Sequence, residues 1–186
     1  MIEFSDSAVK KAETLLGGIK DALPKVQARV INRSMQTARA EAVRAVRAEY
    51  AVSADAVRKT IEIKNASFSN PTGTILSTGS PIDLAKFDVS STRPNPKAKS
   101  PVTVRVKLGG GRKPIKNAFL ARLSNGHVGI FIRADKGRFP IKQLYGPSVP
   151  QMLGSENVSK RIEEKAMETM ENRLEHEIDR ILEGHG

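Results

Sequence analysis

Apolar residues return every three or four positions along two long stretches of this chain, and alternate with polar ones along short stretches between them. Over residues 23–50, Leu23, Val26, Val30, Met35, Ala38, Ala42 and Val46 fall on one side of a helix. Pro24 fits its first turn, where a missing N–H is harmless. A second stripe carries Arg29, Arg33, Gln36, Ala40, Arg44 and Arg47, and the small Ala38, Ala42 and Ala45 permit close approach by a neighbour. The other long helix opens at Gly154 and Ser155 and runs to Leu182. Val158, Ile162, Ala166, Met170, Leu174, Ile178 and Ile181 form its apolar stripe, bordered by dense charges of both signs. So narrow a stripe predicts packing on a sheet or on a neighbouring subunit. Two shorter helices are predicted over residues 5–18, capped by Ser5, Asp6 or Ser7, and over 54–60, capped by Ser53.

Strand signals fill the middle. Residues 61–64 alternate, and residues 74–78 form a short strand after a turn at Asn70, Pro71, Thr72 and Gly73. Residues 101–108 read as the clearest strand, with Val102, Val104, Val106 and Leu108 on one face. Residues 117–123 and 127–133 form a hairpin whose tip, Asn125-Gly126, supplies positive φ angles. Residues 90–100 have little to bury and predict a mobile basic loop. The expected fold is α+β: a small, mostly antiparallel β-sheet packed with a long N-terminal helix and a long C-terminal helix. The expected organisation is one domain over 1–186, with 1–50 as a helical arm, 61–150 as a β-rich body and 154–183 as the C-terminal helix.

Charge changes the picture. The net charge is +11, yet residues 155–186 hold 5 bases and 9 acids, which leaves +15 on the remainder. Between Val89 and Ala134 there is no acid, and ten bases stand there. Such a field attracts polyanions or acidic protein surfaces; it also serves simply as a solvated face. The candidates for DNA or acidic-partner contact are Arg29, Arg33, Arg44, Arg47, Lys97, Lys99, Arg105, Lys107, Arg112, Lys113 and Lys116. For the helical arginines the alternative is pairing with the acidic last helix. Sequence-specific reading of bases has no motif here, and two Tyr with six Phe offer little for base stacking.

Reaction chemistry finds little support. With no cysteine, disulfides and thiolate chemistry are excluded. His127, His176 and His185 have no partners at metal-ligand spacing, so no metal or cofactor is expected. Gly109 to Lys113 lacks the Gly-Lys-Ser/Thr ending of a nucleotide loop. Asp83 and Asp88 lack further grouping, and Ser124 and Ser148 lack a triad. The reading is therefore not an enzyme, with no small-molecule substrate. No apolar run approaches the ~20 residues of a membrane helix, and the first residues lack signal-peptide features. A soluble, intracellular protein is expected.

Residues 139–150 stand apart. Pro140, Pro147 and Pro150 restrict the backbone, and Gly146 permits an unusual bend. Leu144, Tyr145 and Val149 offer apolar contacts on that stiff frame, and a preordered surface loses less entropy on binding. The segment reads equally as a docking surface or as a rigid linker packed on its own sheet.

The chain resembles one family, the minor tail protein Z of tailed bacteriophages and prophages. The likeness lies at Ala118-Phe119, at Gly126-His127 with Gly129, Phe131 and Arg133, and at Pro140-Ile141 through Leu144 to Pro150. Ala28, Ile31 to Ser34 and Thr37 to Arg39 on the long helix are similar too, as is residue run 61–68. The resemblance implies a structural virion protein acting in tail completion and head–tail joining. It implies an oligomeric adaptor ring at the head-proximal end of the tail, with tail or neck proteins as partners, and assembly in the bacterial host cytoplasm. No catalytic residues carry over. The alternative is a basic nucleic-acid-binding module that contacts DNA phosphates without sequence specificity.

Overall fold

The computed structural model describes residues 4, 6–95 and 100–184. Helix α1 (Asp6–Leu16) leads into α2 (Ala22–Glu49), with Pro24 in the first turn of α2 as expected. A short α3 (Ala54–Arg58) follows, started by the Ser53 hydroxyl, which accepts from the Ala56 N–H. Among the described residues eight short strands come next: β1 (Ile61–Lys64), β2 (Thr74–Ser77), β3 (Asp88–Val89), β4 (Thr103–Arg105), β5 (Lys113–Pro114), β6 (Ala118–Arg122), β7 (Val128–Arg133) and β8 (Ile141–Gln143). Helices α4 (Val149–Leu153) and α5 (Glu156–Leu182) complete the described elements. The fold is α+β, and every strand pairing is antiparallel, in three small sheets ordered β1-β2, β3-β4-β5 and β6-β7-β8.

The last helix lies along α2, which corrects the expectation of a sheet or a neighbouring subunit. Arg29 faces Glu177 and Glu41 faces Arg161, so the two helices run antiparallel. The reason is the composition of α2. Ala28, Ala38, Ala42 and Ala45 are all buried, and their small side chains let a second helix approach. Val26 and Val30 are fully buried, each contributing about 1.5–3 kcal/mol by the usual area scale. At one end, α1, α2 and α5 share a core that includes Leu16, Val26, Val30, Leu174 and Ile178. At the other end, Val46, Tyr50, Val57, Ile61, Phe87, Ile130, Val149 and Met152 form a second core under the sheets.

Two strand readings change. The strand expected over 101–108 pairs as a strand only at Thr103–Arg105. Beyond it, Ala51 N–H donates to Val106 C=O and Leu108 N–H donates to Glu49 C=O, so this part is held by the end of α2. At the β6–β7 tip only Gly126 takes a positive φ, 83°. Leu123 C=O accepts from Gly126 N–H, and the Asn125 side chain accepts from His127 N–H. The loop is thus longer than a two-residue Asn-Gly turn. Of the loop at 90–100, residues 96–99 lie outside the described residues, as do Ser5 and His185.

Candidate interaction surface

The segment after Arg138 is built from the inside outward. Strand β8 pairs with β7, with Phe131 opposite Gln143. Leu144 N–H then donates to Ile130 C=O, and Leu144 C=O accepts from Leu84 N–H. Gly146 N–H donates to Ile82 C=O at 2.7 Å. Only glycine fits there, because a Cβ would stand 2.6 Å from the Phe87 ring. Ser148 is buried and starts α4 through a capping box: its hydroxyl accepts from Gln151 N–H, and the Gln151 side chain accepts from Ser148 N–H. Val149 (2% exposed) and Met152 lie in the core.

The docking candidates therefore divide. Val149 is inside; Leu144, Gly146, Pro147 and Pro150 are half-buried; Pro140 is exposed. Tyr145 is 54% exposed, on a backbone bridged to Asp83. Phe139, 68% exposed, lies under the Arg138 guanidinium at 5.8 Å. The rigid-linker reading describes the inner face, and the outer face carries two exposed aromatic rings, Tyr145 and the Arg138-capped Phe139.

Beside Tyr145 opens a cleft of about 360 Å³, lined among others by Thr60, Lys86, Asp83, His127 and Gln143. Asp83 is buried and accepts from Ala85 N–H and from the Gln143 amide. His127 Nε2 stands 3.2 Å from Asp83 and 2.8 Å from the Gln143 nitrogen. The two amide hydrogens of Gln143 can serve one neighbour each, which ties the hairpin tip to β8 and to the turn at Asp83. Among the described residues no hydroxyl hydrogen-bonds His127, so this acid–imidazole pair lacks the partner of a triad. No group of three metal-ligating side chains occurs among the described residues. No described helix is long and apolar enough to cross a membrane.

The basic candidates also divide. Arg105 and Arg112 both hydrogen-bond Asp88, whose carboxyl is held below its ordinary value of 3.8, first by the Arg112 hydrogen bond and then by both guanidinium charges. The Arg112 guanidinium is correspondingly raised. Arg29 pairs at 3.6 Å with Glu177, beyond hydrogen-bond reach. Arg44 bonds the buried Glu41, which Arg161 also meets. Lys107 stands over the Tyr50 ring at 5.6 Å. Arg33, Arg47, Lys113 and Lys116 are exposed and have no ion pair among the described residues. Lys97 and Lys99 lie outside the described residues.

The long helix carries a clamp the residue pattern alone did not reveal. Asn32 accepts from Ala66 N–H and donates to Ala66 C=O, fixing the exit of β1 to α2. Residues 6–183 match the family model described as prophage minor tail protein Z (GPZ).

The chain belongs to the minor tail protein Z family.

Neither the curated proteins nor the solved structures gave a match. Membership makes this a structural component of a phage tail. Within that role, the hydrogen bonds of Asn32, Gly146 and Ser148 hold the fold together, and their side chains or backbones leave Tyr145 outside.

Proposed function

We propose that this member of the minor tail protein Z family completes the tail at its head-proximal end, as a ring-forming adaptor through which the tail joins the head. The observation that carries this reading is Tyr145: an exposed ring on a segment anchored on both sides by backbone bonds and buried side chains. Tyrosine is enriched among residues that dominate binding energy, and a surface already ordered loses little entropy on contact. Adjacent copies, or tail and neck proteins, are the expected partners, met in the host cytoplasm as the virion assembles. Locating the chain by cryo-electron microscopy of assembled particles tests this. Density for a closed ring at the tail–head joint is expected; density at the tail tip, or a single copy, would contradict it.

A second reading has its own support at the far end of α2. Lys107 bridges to Tyr50, Lys113 pairs in register with Val104, and Arg47 lies one turn before Tyr50. These exposed cations suit phosphates of DNA or an acidic partner, while Arg105 and Arg112 share the single carboxylate of Asp88. Binding to duplex DNA across a salt series separates the two. A free nucleic-acid-binding module binds tightly alone and weakens steeply with salt; an adaptor subunit binds weakly throughout.

A further inference from the structure

A groove of about 600 Å³ runs between α2, α5 and the segment that enters β2. Helix α2 supplies Ile31, Ser34, Met35 and Ala38, α5 supplies Ala166 and Met170, and residues 71–75 form a further wall. None of the described lining residues carries a charge, on a chain whose net charge is +11. One polar atom in it is left over. The Ser34 hydroxyl is buried and has no hydrogen-bond partner among the described residues. A buried hydroxyl without a partner is costly, and it calls for a ligand that brings a hydrogen-bonding group into an apolar site.

The wall at β2 adds backbone groups. Thr78 N–H donates to Thr60 C=O, so alternation puts Glu62 opposite Leu76 and Lys64 opposite Thr74 at bonded positions. The N–H and C=O of Ile75 and Ser77 then point away from β1, and they have no backbone partner among the described residues. Successive strand residues point to opposite faces. A groove bordered by both Thr74 and Ile75 therefore follows the backbone of β2 rather than one face of it.

We propose that this groove takes an extended, uncharged peptide segment of a partner protein, paired to the open edge of β2. The three features select that chemistry together. A peptide backbone supplies both a donor and an acceptor for Ile75, at the spacing a strand requires. Apolar side chains at alternate positions fill the space between α2 and α5, and a carbonyl or hydroxyl oxygen accepts from Ser34. A charged segment would lose its hydration there and find no counter-charge. Main-chain pairing of this kind gives affinity, and the pocket for alternate side chains gives specificity. The site uses no part of the Tyr145 segment and does not depend on the tail position proposed above, so either can fail alone.

The probe is a fluorescein-labelled octapeptide of alternating valine and threonine, titrated against the full-length chain by fluorescence polarisation. Saturable binding is expected below ~1 mM. The same peptide N-methylated throughout, or carrying glutamate in place of valine, is expected to bind at least ~10-fold more weakly. The glutamate probe is the one that net charge alone would favour. Ile75→Pro removes an outward N–H that the ladder with β1 does not use, and is expected to weaken the valine probe at least ~10-fold. Ser34→Ala removes the orphan hydroxyl and is expected to weaken it ~5-fold while leaving the free chain as stable as before or more so. Absence of saturable binding would overturn the proposal, as would an unchanged affinity in either variant or equal binding of either control peptide. So would self-association of the chain that Ile75→Pro abolishes, which would give the edge to a second copy.

Discussion

At the helical end of the molecule, Val26, Val30, Leu174 and Ile178 meet side chain to side chain between three helices. At the β end, Asp83, Asp88 and Ser148 each tie together segments distant from one another or start an element, and the apolar core lies beneath them. Long helices repeat one packing rule for many turns. Strands of two to six residues cannot, so polar clamps position what pairing alone would leave loose. The candidate surface lies at the clamped end, where rigidity is local and residue-specific.

Removing core volume tests whether the two ends are one cooperative unit. Met152→Ala at the β end and Ile178→Ala at the helical end are each expected to cost about 2–5 kcal/mol in urea unfolding. Coincident loss of helical and tertiary signals is expected in both; separate transitions would make the ends independent. Gly146→Ala sharpens the β side, because its Cβ would press on Phe87, and it is expected to cost about 1–3 kcal/mol. Ser148→Ala removes a cap and is expected to cost about 0.5–2 kcal/mol. A still smaller effect comes from Asp88. Its folded pKa is depressed, so its pairing contributes above the unfolded value near 3.8 and is lost as pH falls through the folded value. Carboxyl NMR is expected to show Asp88 titrating below 3.8, and Arg112→Ala to move it back upward.

The helical end was legible because its stripes are long. The period of α5 identifies its buried side, with Ala166, Met170, Leu174 and Ile178 all buried, but a stripe does not name its partner; α2 is indicated only by the reading that pairs its arginines with the acidic last helix, as Arg29 does with Glu177. The β end was legible in its hairpin and in β1, and less so elsewhere. Residues 106–108 look like strand because they are extended, yet they bond to the end of α2. Helix α4 was hidden by Pro147 and Pro150, although the Ser148–Gln151 box was a usable signal and Pro150 fits a first turn. Nothing in the spacing joins Asp83 to Gln143 and His127, because folding alone brings them together. The acid-free run hides its counter-charge from a count along the chain: Asp88, just before it, holds both Arg105 and Arg112.

Tyr145 carries the central claim, that this chain works by presenting a rigid surface to other tail components. The most direct measurement is Tyr145→Ala in a phage depending on this protein, read as assembled particles by electron microscopy alongside the thermal unfolding of the purified chain. The clamps around Tyr145 are backbone bonds that Tyr145→Ala keeps, and its ring is 54% exposed. Stability is therefore expected to stay within about 0.5 kcal/mol, and tails that fail to join heads with unchanged unfolding are the predicted result. Normal yields of joined particles from the same variant would contradict it.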